Sequence, residues 1–161
     1  MEERIKYARV APETYKLLAP LQHYIRNCGL EESLVDLVFL RASQINGCAY
    51  CIDMHTKDAR ARGETEQRLY ELEVWRETPF YTERERAALA WTEAVTLVSE
   101  GHVPDEVYEE ARKSFSDLEL VNLTLAIILI NSYNRLSISF RTVPGTYQPV
   151  HAVATSKAGE R

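Results

Sequence analysis

The sequence predicts an all-α fold, a bundle of about six to eight helices, on three observations. Six glycines and six prolines are few for 161 residues, and most stand where helices begin or end. No alternating apolar and polar run of useful length signals a strand. Two capping boxes, Thr82-Glu83-Arg84-Glu85 and Ser116-Asp117-Leu118-Glu119, each lead into a long apolar segment.

The elements follow in order. Pro12 opens a first helix that runs to Cys28 and stops at Gly29, with Pro20 expected to kink or divide it. A second spans about Glu31 to Gln44. Asn46-Gly47 is a turn signal, and Ala49 to Arg62 beyond it has helical composition and ends at Gly63. Thr65 caps a short helix through about Trp75, and Pro79 separates it from the helix that starts at the Thr82 box and runs until Gly101. Pro104 suits the first turn of a helix from Asp105 to Phe115, whose early acidic residues complement the helix dipole. The Ser116 box opens the last helix, which extends to about Ser137. That helix is apolar on more than one face, so it requires central burial or a second subunit. The expected organisation is one helical domain over residues 1–143 and an extended arm or flexible tail over 144–161, where Pro, Gly, Thr, Ser and Ala dominate.

Composition excludes several classes. With 45% hydrophobic and 27% charged residues, the chain is an ordinary globule rather than a disordered or fibrous one. A net charge of -5 and no basic run argue against nucleic acid as a partner. The most apolar stretch, Leu118 to Ile130, is interrupted by Glu119, Asn122 and Thr124 and falls short of the roughly 20 residues of a membrane span. The start has no signal-peptide core. Three cysteines form no dense disulfide framework and suit a reducing compartment, so the cytoplasm is the expected location by elimination.

The informative segment is Arg41-Ala42-Ser43-Gln44-Ile45-Asn46-Gly47-Cys48-Ala49-Tyr50-Cys51-Ile52-Asp53-Met54-His55. Two thiols separated by two residues at a helix start are close enough to join, and unpaired amides there stabilise a thiolate. His55 lies four positions after Cys51, hence one turn further along the same face, where an imidazole takes a proton from the thiol directly or through water. The helix-start position favours a thiolate at Cys48, whereas the His55 spacing favours Cys51. The same pair suits zinc, but the chain offers no second Cys pair and no obvious fourth ligand, and the expectation is no bound metal. A haem attachment motif would need His where Ile52 stands. Two buried thiols without a role are the bland alternative. Asp36 is the single polar residue in Leu34-Val35-Asp36-Leu37-Val38-Phe39-Leu40; it is expected to be partly buried as part of a proton relay, or else to face solvent or pair with Arg41 or another cation. Cys28 reads as a packing residue, and His23, His102 and His151 as structural or surface residues.

The stretch from Leu34 to Gly63 resembles the core motif of the alkyl hydroperoxidase D-like branch of the carboxymuconolactone decarboxylase superfamily. The likeness extends through Trp75-Arg76-Glu77-Thr78-Pro79-Phe80-Tyr81-Thr82-Glu83-Arg84-Glu85 to Asn134-Arg135. The resemblance implies an all-helical trimer or hexamer and a thiol peroxidase. In it Cys51, assisted by His55, attacks a hydroperoxide, and Cys48 resolves the sulfenic acid as a disulfide. It implies no bound cofactor, but an external dithiol of lipoyl type that reopens the disulfide. Two departures stand out: Asp36 occupies the place of the family's relay Glu, and Tyr50 that of a second relay His, so Tyr50 is at most a supporting group. The competing functions are a thiol-disulfide oxidoreductase or a decarboxylase relative acting on a small metabolite, and a structural or redox-sensing oligomer.

Overall fold

A computed structural model describes residues 2–149, apart from the side chains of Thr14 and Tyr15. Among these residues there are nine α-helices and no strands: α1 (Tyr7–Val10), α2 (Pro12–Asn27), α3 (Glu32–Asn46), α4 (Ala49–Ala61), α5 (Glu66–Glu71), α6 (Glu83–Thr96), α7 (Val98–Gly101), α8 (Asp105–Ser114) and α9 (Asp117–Phe140), with a 3₁₀ segment over Leu72–Glu77. Seven of the nine exceed a single turn; α1 and α7 do not.

The central element is α3. Every residue from Leu34 to Leu40 is buried, and the helix packs against α4, α6 and α9. Helical spacing divides its side chains between two cores. Leu34, Val35, Val38, Phe39 and Ala42 join a large core with α2, α6, α8 and α9, while Leu37 and Leu40 join a smaller one closed by Ala59, Leu69, Leu72, Trp75, Tyr81 and Leu89. Both capping boxes form as expected: the Glu85 and Glu119 amides donate to the Thr82 and Ser116 hydroxyls, and each Glu carboxylate accepts from the cap residue's own amide.

Four local expectations change. Pro20 does not divide α2, which continues through it; the helix bond lost there frees a carbonyl at exposed Lys16, where water can serve it. The segment after Thr65 tightens into the 3₁₀ segment, which kinks at Val74 (φ -111°, ψ 27°) and places both Leu72 and Trp75 in the smaller core. The helix from Thr82 breaks at Leu97 (φ -97°, ψ 29°) before Gly101, leaving α7 as a separate turn. And α9 runs for 24 residues, to Phe140 rather than about Ser137, and is long and apolar enough by length and composition alone to cross a membrane. Its Leu123, Ala126, Ile127, Leu129 and Ile130 are wholly buried, which is where its apolarity is used.

After α9 the chain is extended and lies along α4. Gly145 N–H donates to Asp53 Oδ2 (3.0 Å), Lys57 Nζ to the Tyr147 carbonyl (3.1 Å) and Tyr147 Oη to Asp58 Oδ1 (2.7 Å). Residues 144–149 therefore form an arm held on the helix that carries the cysteines; the rest of the expected tail, with His151, lies outside the described residues.

Candidate active site

The site begins with how α3 ends. Gly47 adopts the left-handed conformation (φ 67°, ψ 32°), its N–H donates to the Gln44 carbonyl (3.1 Å), and the Cys48 N–H donates to the Ser43 carbonyl (2.9 Å). This is a Schellman motif, and it requires a residue that tolerates positive φ. Cys48 then serves as the N-cap of α4, so one residue closes one helix and opens the next. Cys51 follows in the first turn. The two sulfurs are joined as a disulfide, with Cα atoms 5.3 Å apart, within the usual range for such a bond.

A buried amide network holds the turn in place. Asn46 Nδ2 donates to Asn131 Oδ1 (3.0 Å) and Asn134 Oδ1 (2.8 Å), and Asn134 Nδ2 donates to Ser43 Oγ (3.0 Å). Asn134 and Ser43 are fully buried, so these bonds tie the last turn of α3, which leads into Cys48, to α9.

Cys48, Cys51 and His55 are almost inaccessible, each 5% exposed or less. Cys51 and His55 line one pocket of about 100 Å³ together with Phe39, Tyr50, Met54 and Tyr133. Gln22 and Ser137 add polar groups to its wall, and no charged side chain lines it. The His55 ring meets Phe39 edge-on at 5.2 Å between centroids, and among the described residues neither ring nitrogen has a hydrogen-bond partner. Burial, reinforced by the positive charges of Arg26 and Arg62, pushes its pKa from 6.5 down to about 3. The imidazole is thus neutral at physiological pH, with an acceptor nitrogen available beside Cys51.

Asp36 is buried, 2% exposed, as its flanking residues imply, and it is ion-paired. Its two oxygens accept from Arg26 Nη1 and Arg62 Nη1, each at 2.8 Å. Arg41 is not its partner: that side chain bonds Glu93 (2.9 Å), which also accepts from Trp75 Nε1. Burial raises the Asp36 carboxyl above the ordinary aspartate range, while the two guanidiniums pull it down. None of its hydrogen bonds goes to His55 or Cys51. The link to the pocket runs through Arg26, whose guanidinium lies 5.4 Å from the centroid of the same Phe39 ring that meets His55. Cys28 is half-buried, with its thiol donating to the Ile25 carbonyl; His23 and His102 are exposed.

Sequence reasoning missed Arg26 and Arg62 as the cations on Asp36, and the residues of α2 and α9 that wall the pocket. These come from distant segments, and only Met54, three positions after Cys51, was readable from helical spacing. One consequence is measurable. Replacing Asp36 by alanine leaves two guanidiniums, each with about a fifth of its surface exposed, to share the one more exposed carboxylate of Glu32, and is expected to cost about 3 kcal/mol of folding stability in denaturant titrations. A loss below about 1 kcal/mol would mean that solvent already screens the cluster.

Among the described residues, no group of three or more His, Cys, Asp or Glu side chains forms a candidate metal site. An all-helical bundle presenting a disulfide-forming Cys-x-x-Cys pair at a helix start defines a redox-type site on a helical scaffold. The chain belongs to the carboxymuconolactone decarboxylase family, whose profile matches residues 12–94, and to its AhpD-like branch. It is 44% identical over 139 residues to the uncharacterized protein YdfG of Bacillus subtilis (strain 168), covering 86% of this chain and 95% of the relative. A solved structure of a protein of unknown function from Agrobacterium tumefaciens, named as a candidate antioxidant-defence protein of the AhpD type, superposes with a TM-score of 0.88 at 45% identity, over 91% of this chain and all of that one. The debrominase Bmp8 shares the fold, with a TM-score of 0.74 at 21% identity over 84% of this chain and 73% of its own.

Proposed function

We propose that this chain is a thiol-dependent peroxidase that reduces hydroperoxides through Cys51 and Cys48. The observation that carries the reading is one pocket shared by Cys51 and a buried, neutral, unpartnered His55, with Cys48 already within bonding reach behind it. In the reduced protein the Cys51 sulfur attacks the terminal peroxide oxygen. The O–O bond breaks, Cys51 becomes a sulfenic acid, and the thiol proton passes through His55 to the departing alkoxide, which leaves as an alcohol. The Cys48 thiol then displaces water from the sulfenic acid to form the disulfide. A dithiol reductant, for which a lipoyl-type compound is the first choice, returns two electrons and restores both thiols. No bound cofactor enters the cycle, and a reducing compartment such as the cytoplasm suits it. Asp36, in this scheme, sets the field at His55 by neutralising Arg26 and Arg62. The direct test is to treat the reduced protein with an organic hydroperoxide and follow free thiols and peptide masses. The expected result is loss of two thiols per chain and a Cys48–Cys51 linked peptide; intact thiols after many minutes would defeat the reading.

A debrominase-type reaction on a small halogenated metabolite is the second reading, favoured by the uncharged, aromatic lining of the same pocket and the shared fold. Turnover of a hydroperoxide against a bromopyrrole separates the two.

We also infer a homo-oligomer, a trimer or hexamer. The support is an exposed apolar stripe on α9, with Leu118 65%, Val121 58% and Ile128 49% exposed, continued by Val98 and Tyr108. Sedimentation is expected to give a multiple of the chain mass, and Val121→Asp with Ile128→Asp to shift it to the monomer. A monomeric parent chain at micromolar concentration would remove this inference.

A further inference from the structure

The disulfide has a second approach that the peroxide step does not use. On the Cys48 side lies a separate pocket of about 240 Å³, lined by Cys48, Tyr50, Ser137, Arg141 and Thr142 among others. Tyr50 and Ser137 border both pockets and form the wall between them. The two differ in charge: no charged side chain lines the Cys51 pocket, whereas Arg141 is the single charged residue lining the Cys48 pocket.

Arg141 is also set in an unusual way. Its backbone is left-handed (φ 55°, ψ 51°), at the place in the Schellman motif ending α9 where glycine is the unstrained choice: Arg141 N–H donates to the Ile138 carbonyl and Thr142 N–H to that of Ser137. The strain is not offset by an ion pair, because among the described residues the Arg141 side chain has no hydrogen-bond or ion-pair partner. Beside it, Thr142 Oγ1 is buried without a partner among the described residues. A cation, with a buried hydroxyl on the next residue, therefore lines the pocket that borders Cys48, the cysteine not assigned to peroxide.

We propose that this pocket is the reductant site, that the reductant is a thiol carrying a carboxylate, and that Arg141 selects it. The inference rests on the disulfide cycle proposed above. In it the reductant thiolate attacks Cys48 Sγ, the Cys48–Cys51 bond breaks, and Cys51 leaves as a thiolate that takes up a proton. A second reductant thiol attacks the reductant's sulfur in the mixed disulfide and releases Cys48 as a thiol. Two electrons move from the reductant to the pair, and the reductant departs as its own disulfide. Arg141 holds the carboxylate while the thiolate is aligned on Cys48, and peroxide enters from the other side of the Tyr50 and Ser137 wall.

The test uses full-length protein whose disulfide has been set beforehand with diamide, so it does not depend on peroxide reactivity. Mercaptopropionate and its neutral amide are compared as probes, at equal thiolate concentration and low salt, for the wild type, Arg141→Gln and Arg141→Gly. Acid quenching, alkylation and peptide mapping locate the mixed disulfide. The expected adduct is on Cys48, with Cys51 alkylated. The wild type is expected to react about three- to five-fold faster with the acid than with the amide, and both variants to bring that ratio to about one. Arg141→Gly is further expected to raise the melting temperature by about 2 °C, since glycine relieves the left-handed strain, which separates loss of selectivity from loss of fold. An adduct on Cys51, a wild-type ratio of one, or a ratio retained in Arg141→Gln would overturn the proposal. Failure of hydroperoxide to oxidise the reduced pair would defeat the peroxidase reading instead, and leaves these results interpretable.

Discussion

Replacing Cys51 by serine is expected to abolish hydroperoxide reduction, with a fall of at least about a thousand-fold, because a hydroxyl in place of the thiolate removes the nucleophile itself. Cys48→Ser is expected to behave differently. The first step survives, one equivalent of alcohol is released, and the chain stops with a sulfenic acid on Cys51 that dimedone traps and mass spectrometry locates. The asymmetry follows from the pocket: Cys51 shares its lining with His55, while Cys48 lines the pocket on the other side of Tyr50. A sulfenic acid trapped on Cys48 in the Cys51→Ser variant would reverse the assignment and make the helix-start position, rather than the imidazole, the dominant influence on thiol reactivity.

A comparable effect on stability is expected from His55. In the folded chain burial holds its pKa at about 3, whereas in the unfolded chain it returns to 6.5. Below 6.5 the unfolded chain binds a proton that the folded chain does not, so the stability present above pH 6.5 is lost as pH falls toward 3. Each pH unit in that window is worth about 1.4 kcal/mol, which gives a loss of about 2 kcal/mol at pH 5. The carboxylates titrate in the same range, so the measurement is a difference: unfolding free energies of the oxidised wild type and of His55→Gln at pH 7 and pH 5. The wild type is expected to lose about 2 kcal/mol more than the variant. Equal losses would show that the imidazole is protonated inside the fold, either by movement of the Arg26 and Arg62 charges or by opening of the pocket to water.

Such a neutral histidine constrains the chemistry. In the proposed reaction it accepts the Cys51 proton only in passing, because an imidazolium is costly among Phe39, Met54 and Tyr133 with two guanidiniums nearby. Proton transfer through His55 therefore belongs with O–O cleavage, when the alkoxide is ready to receive it, rather than with a standing thiolate–imidazolium pair. Asp36 tempers the same field: with its carboxylate in place the arginines present less net charge to the ring, and without it they would oppose any positive charge there more strongly.

Much of this was legible in the order of residues because it rests on local physics. Capping boxes at Thr82 and Ser116, the positive-φ glycine at 47, the Cys48–Cys51 spacing and the placement of His55 one turn beyond Cys51 depend on backbone geometry within a few residues. Asp36 was marked for burial by its neighbours, and it is buried. Its partners were not legible, since Arg26 and Arg62 lie ten and twenty-six positions away and meet it only because α2, α3 and α4 converge. The ends of α6 and α9 were misjudged for a related reason: Leu97 breaks its helix and Arg141 takes a left-handed turn without the glycine that would announce it.

The sequence by itself determined an all-helical chain with a redox-competent cysteine pair and an imidazole on one helical face. Only the tertiary structure decided that this imidazole is buried and neutral, that Asp36 serves two arginines, and that the disulfide lies between an uncharged pocket and a cationic one. Local hydrogen bonding and helical periodicity act over a few residues, whereas desolvation and charge are properties of whatever the chain brings together from far along its length.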